Sequence, residues 1–253
     1  MLQLVLSRNE AQRKAYVDAC LAKELKNEQS DIYLLVPEQS AFARDRDILL
    51  RFGAKAVSSM HILGFSRLAS TLLQQIGKPV KPQVDEAGRT VLMSVAVENA
   101  AGENRLYGAH AGRERLMSNL LAARDELRQY GLTPADLEKA AERIGGESLR
   151  RKTTELALIF AAYDALVSER FSDKSDNITI LTDVLKEQKL FENATVFIDG
   201  FRGFTEQQFL CIEQLLRQCP QVTVFLCSEA NAAEDGAFAH AERARRRLHS
   251  AAQ

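Results

Sequence analysis

Short apolar runs alternate along this chain with longer stretches in which apolar positions recur every three or four residues. Leu2–Leu6, Ile32–Val36 and Val57–Leu63 are short and apolar, as strands are, and the segments between them, roughly 9–26 and 38–52, carry helical patterns. After the third run, Phe65, Leu68, Ala69, Leu72, Leu73 and Ile76 fall on one face of an amphipathic helix. Strands alternating with helices predict right-handed βαβ units and a parallel sheet.

The segment "GKPVKPQ" (77–83) interrupts that alternation with two prolines and a glycine. From about 85 to 190 only helical patterns follow, at 85–100, 113–130, 151–171 and 175–188. The second presents Leu116, Leu120, Leu127 and Tyr130 on one stripe. The third presents Leu156, Ile159, Phe160, Tyr163, Leu166, Val167 and Phe171. Within "GLTPADL" (131–137) Gly131 ends one helix, Thr133 caps the next and Pro134 takes its first position. Strand patterns return at "ATVFIDG" (194–200) and "QVTVFLC" (221–227), with a helix over 205–218 between them. Thr205 and Gln208 match a capping box there, and Phe204 and Phe209 are spaced for the hydrophobic staple across it.

The predicted architecture is therefore a parallel-sheet α/β domain, residues 1–80 and 194–253, interrupted by an all-helical insert at 81–193. No strand pattern follows residue 227, so the sheet reads as unfinished and the chain as part of something longer. It ends in "AHAERARRRLHSAAQ", a basic helical run that suits either phosphate contact or a solvated face.

Composition narrows this little. Lys plus Arg (33) and Asp plus Glu (34) nearly cancel, so net charge gives no hint of nucleic acid, and any such site must come from local clustering. No run approaches membrane-spanning length, and the five-residue apolar start is too short for a signal-peptide core, which makes the cytoplasm the expected compartment and a membrane an unexpected partner. Cys20, Cys211, Cys219 and Cys227 have no metal-ligand spacing and read as buried reduced thiols, while His61, His110, His240 and His249 are dispersed. No metal site is expected.

Three places carry candidate chemistry. The first strand runs into "SRNEAQRK" (7–14), where a nucleotide-binding α/β protein carries its glycine-rich loop. Aligned on the strand, Ser7 and Gln12 stand at the glycine positions, Arg13 at the lysine position and Lys14 at the hydroxyl position. Side chains at the two glycine positions resist the backbone angles that cradle phosphate, so the sequence reads as a degenerate P-loop. Second, "VFIDGF" ends a strand in Asp199, where a magnesium-holding acid would sit. With the first loop degenerate, a local cap or salt bridge is the expected role of Asp199. Third, "VPEQSAF" (36–42), "GFSRLAS" (64–70) and "GFRGF" (200–204) all follow strand ends. Binding sites of open parallel sheets form at that edge. These segments bring Gln39, Ser40, Phe65, Ser66, Arg67, Phe201 and Arg202 toward one rim. Amides, arginines and aromatics are what gripping phosphates and stacking on bases require. Phe65 also fits the apolar stripe of its helix and Phe204 the staple. Phe201 has no such explanation and Arg67 lies off the stripe, so those two carry the rim best.

"LLVPEQSAF", "HILGFSRLA", "LRQYGLTPADL" and "VFIDGFRGFTEQQF", in this order and around a helical insert, resemble the N-terminal region of the B subunit of the AddAB (RexAB) ATP-dependent helicase–nucleases. The resemblance covers essentially the whole chain. It implies a P-loop, superfamily-1 helicase-like 1A-type domain interrupted by a 1B-type helical subdomain. It also implies a longer protein, with a RecB-type nuclease, its magnesium and a 4Fe–4S cluster beyond residue 253, and no cofactor in the part read here. In that family the B subunit is an inactivated motor that scans the 3′-terminated single strand for a Chi sequence during double-strand-break repair, while the A subunit drives translocation. The resemblance thus implies single-stranded or duplex DNA ends and an AddA-type subunit as partners. Matched by motif, Gln39, Phe65, Arg67 and Phe201 occupy the scanning positions. Ala41 stands where a hydroxyl can occur and Ser70 where a stacking aromatic can occur. A protein-docking scaffold and a divergent ATP hydrolase are the competing readings.

Overall fold

The computed structural model describes residues 1–27, 31–78, 84–100, 106–108, 113–171, 176–229 and 238–251; His110 lies outside them. The chain divides into two compact units, one made of Met1–Lys78 with Asn177–Gln253 and the other of Pro79–Asp176.

The first unit is built on five strands: β1 (Leu2–Leu6), β2 (Asp31–Leu35), β3 (Met60–Leu63), β4 (Ala194–Ile198) and β5 (Gln221–Leu226). They form one sheet in the order β1-β5-β4-β2-β3, and every neighbouring pair is parallel. Alternation along the strands sorts their side chains onto two faces. Ile32, Leu34, Val36, Phe197 and Phe225 pack with Val17 and Leu21 of α1 (Glu10–Glu24) and Ile48 of α2 (Glu38–Phe52). Leu35, Val196, Ile198, Val222, Val224 and Leu226 point the other way. They pack with α4 (Phe65–Gln75), α9 (Asp176–Glu187), α10 (Glu206–Gln218) and α11 (Ala239–Ala251). Both faces are covered, which is why the strands read as continuous apolar runs.

Several boundaries differ from the sequence expectation. The third strand begins at Met60: Gly53, at φ 84°, ends α2, and Ala54–Ser58 form a short helix, α3, that takes up Val57 and Ser58. The insert was expected to run to residue 193, yet the compact unit ends at Asp176. The reason is packing, because Ile178, Leu181 and Leu185 of α9 are buried in the same core as β4 and β5.

The second unit contains α5 (Glu86–Ala100), α6 (Glu114–Gln129), α7 (Pro134–Glu142) and α8 (Glu147–Arg170). Met93, Ala96 and Val97 meet Met117, Leu120 and Leu121 around Ile159, Phe160, Tyr163 and Val167 of α8. Helix α8 starts at Glu147, after Gly146, earlier than apolar periodicity indicates, because its first turn is polar apart from an exposed Leu149. Tyr130, expected on the core stripe of α6, lies beyond its last turn and is 71% exposed. Among the described residues of this unit two charges are buried, Arg124 and Glu155, and Glu155 accepts from the Leu106 and Tyr107 amides at 2.9 Å. Arg124 donates to Asp164 at 2.7 Å and lies 4.6 Å over the Tyr163 ring, so its guanidinium is paired rather than stranded.

Candidate nucleic-acid interface

In sheet order β2 leads to β3 on one side and β4 leads to β5 on the other, so the carboxyl ends of β2 and β4 flank a topological switch point. A cavity of about 210 Å³ opens there, lined among others by Arg13, Lys14, Ser40, Arg44, Asp199 and Gly200. It is where a nucleotide's phosphates would be sought, and the chain fills it with its own charges. Arg13 Nε lies 2.8 Å from Asp199 Oδ1, with both side chains only 10% exposed. The two atoms form an ion pair without hydrogen-bond alignment. Lys14 pairs with Asp47, which holds that carboxyl below its ordinary value. Arg44 is buried against Asp18 at 2.5 Å, and Arg51 reaches the same carboxylate.

The loop before α1 is equally self-contained. Asn9 caps the helix by accepting from Gln12 N at 3.1 Å, and Ser7 Oγ accepts from Asn9 N at 3.2 Å. A phosphate cradle needs free amides turned toward the ligand and a lysine reaching its terminal phosphates. Here the amides of Ser7, Asn9, Gln12 and Arg13 are engaged within the chain, and the Arg13 side chain is turned onto Asp199. The residues at this place do not fit a nucleoside triphosphate.

The three rim segments meet beside that crevice. Pro37 opens α2, and Gly200, at φ 83°, turns the chain out of β4 directly over it. The positive φ requires glycine, and a Cβ on Gly200 would lie only 3.3 Å from Pro37 Cδ, a tight contact. Glu38 then ties the first segment to the second. Its Oε1 accepts from Ser66 N at 3.0 Å, capping the N-terminus of α4, and its stem lies so close to Gly64 that a Cβ there would stand 2.7 Å from Glu38 Cγ. Aromatic packing ties the second segment to the third: Phe65 and Phe201 are 5.5 Å apart, Phe201 and Phe204 5.2 Å, Phe204 and Phe209 5.3 Å. The expected capping box at Thr205 and Gln208 is formed, with Phe204 on Phe209 as its staple.

That cluster corrects one expectation. Phe201 lacked a structural explanation in the sequence. In the fold it is 8% exposed, against Phe65 at 1%, and its ring fills the seam between α4 and the β4–α10 turn. The predicted rim residues therefore separate by burial. Gln39, Arg67 and Arg202 are exposed, and neither arginine has a carboxylate partner among the described residues. Phe65 and Phe201 form the floor beneath them. Phe42, 80% exposed in the second turn of α2, and Glu38 were not singled out from the sequence; no pattern marks Glu38, whose partner lies 28 positions away.

The cysteines differ in part from expectation: Cys211 and Cys219 are buried and pushed up to about 12 by desolvation, while Cys20 and Cys227 are half-buried, and all four are free. Among the described residues no group of three or more His, Cys, Asp or Glu is arranged to hold a metal ion, and no helix is long and apolar enough to cross a membrane.

Together these features define a parallel α/β domain, covered on both faces, with a helical insertion and a switch-point crevice closed by its own ion pairs. The chain belongs to the AddB N-terminal family: the family described as "ADDB, N-terminal" matches residues 4–253. Among similar proteins, the B subunit of the ATP-dependent helicase/deoxyribonuclease of Clostridium tetani is 28% identical over 90% of this chain and 20% of its own length. Its counterparts of the same name in Acetivibrio thermocellus and Desulforudis audaxviator are 29% and 30% identical, each over 78% of this chain and 17% of their own. The chain thus spans about a fifth of the length of these relatives.

Proposed function

We propose that this chain is the non-catalytic, DNA-contacting N-terminal part of a helicase–deoxyribonuclease B subunit, and that it holds the 3′-terminated single strand across the rim of Gln39, Arg67 and Arg202. The observation that carries this reading is the convergence of three strand-end segments, fastened by the Glu38–Ser66 bond and the Phe65–Phe201 contact, on exposed arginines with no carboxylate partner among the described residues. Unpaired guanidinium groups on a fixed platform suit backbone phosphates. The ion-paired crevice supports a portion that uses no nucleotide of its own, with ATP-driven movement supplied by an AddA-type partner at broken duplex ends.

Sequence is read through contacts to base edges, whereas phosphate contacts only position the strand. Gln39 is the one exposed amide of the rim set. Ser70 is turned into the fold, donating to Ser66 O at 2.9 Å and accepting from Asn177 at 3.1 Å, and Ala41 packs against the α1–α2 core. The reading is therefore a strand-gripping surface with few base-reading groups. The test is binding of a labelled oligothymidylate to wild type and to Arg67→Ala/Arg202→Ala. The expected result is salt-sensitive binding, with a slope of log K on log salt that falls by about 1.4 in the double variant, from roughly 0.7 per lost phosphate contact. Unchanged binding in that variant refutes the surface.

A further inference from the structure

The basic run that closes the described chain does not behave as one patch. Helix α11 carries Arg243, Arg245, Arg246 and Arg247, and three of these are engaged by carboxylates. Arg245 and Arg246 converge on Glu242, and Arg247 pairs with Glu206 while its guanidinium lies 4.3 Å over the Phe209 ring. These three hold α11 to itself and to α10. Arg243 is different: it is exposed and has no carboxylate partner among the described residues. Its Nη2 lies 3.1 Å from Nδ1 of His240, one turn back on the same face.

The place of that turn matters. A Cβ on Gly203 would lie 3.8 Å from His240 Cβ, so the start of α11 rests on the β4–α10 turn immediately after Arg202. Arg67, Arg202 and Arg243 therefore follow one another across adjoining elements. Arg67 stands two residues beyond Phe65, whose ring meets Phe201. Arg202 follows Phe201, and His240 covers the next residue. Arg217, the arginine of α10, is also exposed, but it sits in that helix's last turn, toward the start of β5 and away from the rim.

Resting on the single-strand reading above, we propose that the first turn of α11 extends the rim: His240 and Arg243 grip the phosphate backbone beyond Arg202. The His240–Arg243 contact aims the guanidinium, and three internally paired arginines anchor the helix that presents it. A strand on this track meets three separated guanidinium groups, so its affinity depends on Arg243 through charge and hardly at all through base identity.

The experiment measures binding of a fluorescein-labelled oligothymidylate to the 253-residue chain between about 50 and 200 mM salt. Wild type is compared with Arg67→Ala, Arg243→Ala, Arg243→Glu and Arg217→Ala, with melting temperatures as a folding control. The expected result is a wild-type melting temperature for Arg243→Ala, with weaker binding and a salt slope reduced by roughly 0.7. Arg243→Glu binds more weakly still, and Arg217→Ala binds as wild type does. If Arg67→Ala weakens binding while Arg243→Ala matches Arg217→Ala, the extension is overturned and the rim of Arg67 and Arg202 stands. If wild type does not bind, both are overturned.

Discussion

Arg13 and Asp199 offer the most quantitative test of a crevice filled by its own charges. Each side chain is only 10% exposed, and their charged atoms are 2.8 Å apart. Replacing Arg13 by Met removes the cation with little change of volume and leaves Asp199 buried beside Arg44, which is already committed to Asp18. Breaking a buried pair on one side costs about 3–5 kcal/mol. The Nε–H here is not aligned on its acceptor, which argues for the low end, about 3 kcal/mol. For a chain of this size each kcal/mol moves the melting temperature by roughly 2–4 °C, so Arg13→Met melts about 6–12 °C early. Asp199→Asn strands Arg13 and costs a similar amount. The double variant removes both charges and costs only about 1 kcal/mol, far below the summed single costs of about 6 kcal/mol, giving a coupling of about 5 kcal/mol. Thermal denaturation of the four proteins, with and without Mg·ATP, is the assay. A ligand at 100 times its Kd adds about 2.7 kcal/mol, so binding in this crevice would be plain in the wild-type curve. Additive single effects, or a wild-type melting temperature that climbs with Mg·ATP, would refute the account of the crevice as self-filled.

Other consequences are simpler. Glu38→Ala uncaps α4 and costs about 1 kcal/mol, read as a lower urea midpoint, whereas Glu38→Gln keeps an acceptor for Ser66 N and loses less. Thr205→Ala dismantles the capping box of α10 at a similar cost of about 1 kcal/mol. Cys211, fully buried with its thiol pushed up to about 12, stays unreactive to alkylating reagents at pH 8 in the native protein, and the half-buried Cys20 and Cys227 react first. Arg245, and after it Arg246, holds Glu242 at about 2, below its ordinary 4.5. Its folded value lies below its unfolded one, so its stabilisation is complete above about 4.5 and is lost as pH falls toward 2. Glu242→Gln therefore flattens the acid limb of the stability curve over that window and leaves neutral-pH titration unchanged.

The sheet was legible in the sequence because a strand covered on both faces must be apolar throughout, and because helices separating such runs leave a parallel order as the natural solution. What the pattern missed has physical causes. Helix α9 looked like the last helix of the insert, since amphipathic periodicity says that a helix has an apolar face without saying which core receives it; Ile178, Leu181 and Leu185 go to the sheet. The rim was legible as a set of segments, but only in part in its division of labour. The apolar stripe of α4 already placed Phe65 inward and Arg67 outward, but Phe201 had no such pattern, and only packing shows its ring as floor beside the Arg202 surface. Glu38 was invisible, because a cap supplied from 28 residues away leaves no local spacing to find.

The closed crevice and the fastened rim bear on each other. A ligand moves a protein between two arrangements only as far as it binds one better than the other. In an α/β motor that leverage comes from phosphates held between the first loop and the acid at a neighbouring strand end. Here the same two places are joined by Arg13 and Asp199, and the helix behind them is held through Asp18 to Arg44 and Arg51 of α2. Helix α2 is also the element that carries Gln39, and it is fixed through Glu38 to the helix that carries Arg67. One continuous set of ion pairs and hydrogen bonds thus runs from the switch-point crevice to the rim of Gln39 and Arg67. With no nucleotide to bias it, this network favours a single arrangement. On the proposed single-strand reading the rim is a preorganised grip, and loosening Arg13 from Asp199 is then expected to weaken strand binding even though neither residue reaches the rim. Measuring oligothymidylate affinity of Arg13→Met below its melting transition checks this link. Wild-type affinity in the folded variant would show that crevice and rim are independent.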